Sequence, residues 1–126
     1  MRELGSQSAE MHEDIASQIV TLDPAFVVLV GDEMGKYVYP LLLEKLGESR
    51  VSHSLNSKVA GQKVRELLYD TEGPKALFVK GSQTTIYLEE GIKEFLFDLQ
   101  DTDNLCRQSP RWLGKKNIFF TMVAPK

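Results

Sequence analysis

Apolar residues recur along the chain in two rhythms, and their alternation predicts the fold class. Met11, Ile15 and Ile19 stand four residues apart with Ala16 and Val20 beside them. Such a stripe predicts an amphipathic helix over residues 6–20. Ser6 or Ser8 is placed to accept from its first N–H groups, and Glu10, Glu13 and Asp14 sit where the helix dipole favours negative charge. Residues 26–30, Phe-Val-Val-Leu-Val, are apolar without alternation, the pattern of a strand covered on both faces. A short helix is expected over residues 40–46, opened by Pro40 and stopped by Gly47. Residues 50–53 form a weaker strand candidate. A helix capped by Asn56 or Ser57 then runs to about residue 69, with Val59, Ala60, Val64, Leu67 and Leu68 inward. The turn signal Glu72-Gly73-Pro74 precedes a third apolar run at residues 76–79. A last helix follows over residues 85–99, with Ile92, Phe95, Leu96 and Leu99 inward.

The order is α-β-α-β-α-β-α. Strands that alternate with helices pair in parallel and carry helices on both faces. The predicted class is α/β: a Rossmann-like three-layer sandwich with a mostly parallel sheet. Three short strands are few for such a sheet and a helix comes first, so the N-terminal strands are expected to be missing. Residues 1–99 form the expected domain and residues 100–126 a basic tail. Within that tail Ser109 to Leu113 reads as a packed turn and Ile118 to Phe120 as a sticky end.

Charge sharpens the picture of the tail. The net charge is −3, but residues 104–126 hold five basic side chains and no acid. The first 103 residues therefore carry ten basic against eighteen acidic residues, a charge of −8. An acidic body argues against duplex nucleic acid as the main partner, because phosphate contacts supply most of that affinity. The tail is expected to be solvated or packed on the domain. No apolar run approaches the roughly 20 residues of a membrane span, and the start has no secretory leader pattern. One cysteine, Cys106, makes no internal disulfide, so the expected address is the cytoplasm.

Two loops follow predicted strands, where parallel sheets bind ligands. Lys80-Gly81-Ser82-Gln83 offers a cation, a glycine that lets the backbone approach a ligand, and a hydroxyl. It reads as an anion or carboxylate site, or as a plain turn with an exposed lysine. It is not a phosphate loop, since G-x-x-x-x-G-K-[ST] is absent. Gly31-Asp32-Glu33-Met34-Gly35 reads as a solvated turn or as a Mg2+ or ribose site, through its two carboxylates. His12 and His53 lack a partner at triad spacing and read as packing residues. Cys106 reads as incidental and Trp112 as a packing anchor.

Three segments in order resemble the C-terminal domain of the ATP-dependent Mur ligases, most of all the member that adds D-alanyl-D-alanine to a UDP-muramoyl tripeptide. Met1-Arg2-Glu3-Leu4-Gly5 is similar to the second half of G-D-M-x-E-L-G, and a helix bearing His12 follows it. Val28-Leu29-Val30-Gly31 is similar to the next strand. Leu77-Phe78-Val79-Lys80-Gly81-Ser82 resembles V-L-V-K-G-S, with Glu89 near the start of the next helix. Gln83 stands where the family carries arginine. The resemblance implies a domain that closes over a ligase active site in peptidoglycan precursor synthesis. Lys80, Gly81 and Ser82 would lie by the carboxylate of the incoming substrate. ATP and Mg2+ would belong to the complete enzyme, whose N-terminal and central domains are possible partners in trans, and no catalytic residue is assigned to this chain. The alternative is a non-catalytic α/β module that binds a small anion or a partner protein through its open edge.

Overall fold

The computed structural model describes residues 5–81 and 86–123. They form two compact units that divide between Leu55 and Asn56.

The first unit opens with a short turn at Gly5–Gln7 and helix α1, Ser8–Leu22. Its buried residues are His12 and Ala16, with Ile19 and Val20 packed on the core. The stripe lies one residue beyond the predicted face, because His12 takes an inward position that the pattern had reserved for Met11, which is 40% exposed. Asp23 ends α1 in the left-handed region and donates its N–H to Ile19 and Val20. Strand β1, Val27–Val30, pairs in parallel with β2, Val51–Ser54, in the register Val27↔Val51. Arg50, directly before β2, binds Asp23 and the Pro24 carbonyl, a few residues before β1, and so ties the approaches to the two strands.

The crossover between the strands is more helical than the sequence pattern predicts. It begins at Asp32, passes through a π-helical stretch at Met34–Val38 and continues as α2, Tyr39–Leu46. Pro40 accounts for the wide turn: inside an α-helix its ring would clash with the preceding turn. The Tyr39 N–H instead reaches five residues back to Met34. Ala16, Leu29, Val38, Leu42 and Val51 form the core between helices and strands.

The second unit holds α3, Ser57–Asp70; a short α4, Leu88–Ile92, extended by Lys93–Phe95; and α5, Pro110–Met122. Asn56 caps α3 through the Lys58 N–H at 2.9 Å. Helices α3 and α4 meet backbone to backbone. A Cβ on Gly61 would sit 2.7 Å from the Gly91 Cα and closer still to its carbonyl oxygen, and one on Gly91 would strike the Ser57 carbonyl.

The protein is thus α/β with a two-strand parallel sheet. The third predicted strand differs: residues 76–79 lie in an irregular stretch, residues 71–81, that is exposed throughout. An apolar run becomes a strand only where a neighbour supplies its hydrogen bonds, and none is paired with it among the described residues. No helix of the described residues is long and apolar enough to cross a membrane.

Candidate functional site

Lys80 and Gly81 close the exposed stretch of the second unit. Gly81 is shaped by what it touches: a Cβ there would overlap the Leu88 side chain, whose Cγ would be 3.1 Å away. The missing side chain lets the chain lie against the first residue of α4 and presents the Lys80 ammonium to solvent. Ser82, the third residue of the predicted site, lies outside the described residues.

Behind this loop the second unit buries a cluster of charges. Glu89 and Glu90 are 3% and 7% exposed although they are the second and third residues of α4. Arg107 grips Glu89 with two hydrogen bonds of 2.8 and 2.5 Å. Lys116, on α5 and 2% exposed, lies 3.0 Å from Glu89 and 2.7 Å from Glu90. Lys93 reaches Glu90 at 2.8 Å. Burial alone would push both carboxyls up, but the cations outweigh it and hold both below the usual carboxylate range. Burial also opposes the Arg107 charge, and Glu89 more than restores it. The Arg107 guanidinium further lies over the rings of Tyr87 and Trp112. Two of the basic residues expected in a tail are therefore packed on the domain, and Trp112 is part of that packing. Cys106 is exposed.

The other predicted loop becomes part of a helix. Asp32 is exposed, whereas Glu33 accepts a 2.5 Å hydrogen bond from the Ser8 hydroxyl. Among the described residues no group of three or more His, Cys, Asp or Glu is arranged to hold a metal ion. His12 Nδ1 lies 2.6 Å from the Ser8 carbonyl, which only accepts, so this nitrogen carries the proton. Nε2 is buried with no partner among the described residues, and the ring packs near Tyr37. His53 donates from Nε2 to the Gly31 carbonyl at 2.9 Å and packs on Tyr39. Gly35 leaves the room for that ring, since a Cβ there would stand 2.5 Å from it. Both histidines hold structure together.

The charge cluster eluded sequence reasoning, because Glu89, Arg107 and Lys116 are separated by many residues and no local spacing links them. The one visible signal was the acid pair inside the apolar context Tyr87-Leu88…Ile92. Chemically the cluster is saturated: every carboxylate has two cations and neither is poised as a base. Lys80 is an exposed cation at the loop. Searches against protein-family models, curated proteins and solved structures found no match to this chain.

Proposed function

We propose that the chain is the C-terminal substrate-binding part of a Mur-type amide ligase that joins D-alanyl-D-alanine to a UDP-muramoyl peptide in the cytoplasm. In the complete enzyme its sheet would extend to the Rossmann-like three-layer sandwich. The observation that carries the reading is the Lys80-Gly81-Ser82 element behind an apolar run, downstream of Glu3-Leu4-Gly5 and the helix bearing His12. The exposed Lys80 and the seating of Gly81 against Leu88 support it. A lysine and nearby backbone N–H groups are suited to the dipeptide's carboxylate, and holding that end orients its amine for attack.

ATP and Mg2+ supply carboxylate activation in such a ligase. The residues here do not fit that role: the chain has no phosphate-loop motif, and its described residues form no metal-binding trio. Those groups are assigned to the other domains. The proposal is tested by mixing the chain with the ATP-binding and central domains of a D-alanyl-D-alanine-adding ligase. The expected result is ADP release that requires both pieces, the UDP-muramoyl tripeptide and the dipeptide. Turnover by the two domains that is unaffected by this chain would count against it. A second reading, a non-catalytic module that binds a partner protein, is favoured by the exposure of Leu77, Phe78 and Val79 in the irregular stretch.

A further inference from the structure

We propose that residues 76–79 of one chain add as a third strand to the outer edge of β1 in a second copy, reciprocally, so that the protein is a strand-exchanged dimer. The inference rests on the sheet and its charges and not on the ligase reading.

The acceptor is an incomplete sheet. Among the described residues it has two strands, so each strand has an outer edge whose backbone groups meet no strand partner. The two edges differ. β2 carries Ser52, His53 and Ser54 and has the polar character of an edge strand. β1 is Val-Val-Leu-Val without alternation, which suits a strand flanked on both sides.

The donor is a second apolar β-prone run that lies outside the helices of the described residues. Ala76-Leu77-Phe78-Val79 matches β1 in length, and its side chains are largely in water: Leu77 is 48%, Phe78 85% and Val79 44% exposed. Exposure of adjacent large apolar residues marks an interaction surface. Among the described residues no strand pairs with the run, and its partner is sought on another chain.

Charge selects the acceptor. Lys75 and Lys80 flank the donor, and Asp32 stands two residues beyond the end of β1. A strand laid on β1 in either direction brings one lysine towards Asp32, whereas the entry to β2 carries Arg50. Two donor runs paired antiparallel with each other would set lysine against lysine. A reciprocal exchange has two-fold symmetry and closes on itself, which gives a dimer rather than a fibre.

Light scattering on the eluting peak of a size-exclusion column tests the proposal. The wild-type chain is expected at the mass of two chains at high micromolar concentration and to dissociate on dilution. Leu77→Pro and Phe78→Pro are made separately, because neighbouring N–H groups in a strand point to opposite edges and one of them must face β1. At least one is expected to weaken the dimer by about tenfold or more. Circular dichroism should stay unchanged, since the run is exposed and irregular. A peptide spanning Lys75 to Lys80, in excess, should convert dimer to monomer. A monomeric wild type would overturn the proposal, whether the run stays free or closes on its own chain. So would aggregates of no defined size, or a dimer unaffected by both prolines and the peptide.

Discussion

Gly61→Ala is expected to destabilise the second unit by at least about 2 kcal/mol, and Gly61→Leu to unfold it. The sign is the informative part. Alanine in place of glycine inside a helix normally gains about 1 kcal/mol from propensity. Here the added methyl meets the Gly91 backbone, which has no side chain to swing aside. Either α4 moves away or α3 bends. Both moves strain the 3.0 Å hydrogen bond from the Ser57 hydroxyl to the Tyr87 carbonyl. They also strain Tyr87 itself, a bulky residue held at φ 51 with its ring edge-on to Phe119. Urea denaturation followed by the single tryptophan, Trp112, reads this unit. A Gly61→Ala protein as stable as wild type would show that the two helices do not touch at these glycines. Gly91→Ala should cost a similar amount, and the double variant less than the sum, because both substitutions wedge apart the same contact.

Lys116→Met is expected to cost about 3 kcal/mol. The ammonium lies between two buried carboxylates, and removing it leaves them facing each other with only Arg107 and Lys93 to hold them. Adding Glu90→Gln to Lys116→Met should recover part of the loss, since the stranded charge is then gone. The cluster also fixes the sign of the pH response. Glu89 and Glu90 have folded pKa values below the ordinary 4.5, so the unfolded chain binds protons more readily. Their contribution is fully present above the unfolded value and is lost as pH falls through the lowered folded values. Stability should therefore be flat in this respect above about pH 5 and decline below the ordinary carboxylate range. Lys116→Met should reduce that acid-side slope. A wild-type stability that rises on acidification would contradict the pairing.

The local pattern carried much of the first unit. β1 and β2 lie within a residue or so of their expected positions, because a dense β-branched run and a helix between strands leave few alternatives. The stripe of α1 was displaced by one residue because a histidine took a core position. The pattern predicts a loop at residues 31–35 and a helix only from Pro40, whereas a π turn absorbs the proline and lets the helix begin at Asp32. α5 had its start signal in Ser109-Pro110, but its inward-facing Lys116 hides the apolar stripe that would have announced it. Residues 76–79 expose the opposite weakness: composition marks a run as strand-prone but does not supply the neighbour it needs. At the candidate loop, Lys80 and Gly81 were legible as chemistry. The fit of Gly81 against Leu88 was not, because contact across a turn has no fixed spacing.

The central claim is that the Lys80 loop receives the carboxylate of a D-alanyl dipeptide. It is tested most directly by titrating isotope-labelled protein with D-alanyl-D-alanine and following backbone amide signals. Those of Lys80 and Gly81 should move saturably, Gly35 in the first unit should stay still, and Lys80→Ala should abolish the response. Signals of Lys80 and Gly81 that do not move, or that move just as far in Lys80→Ala, would contradict it.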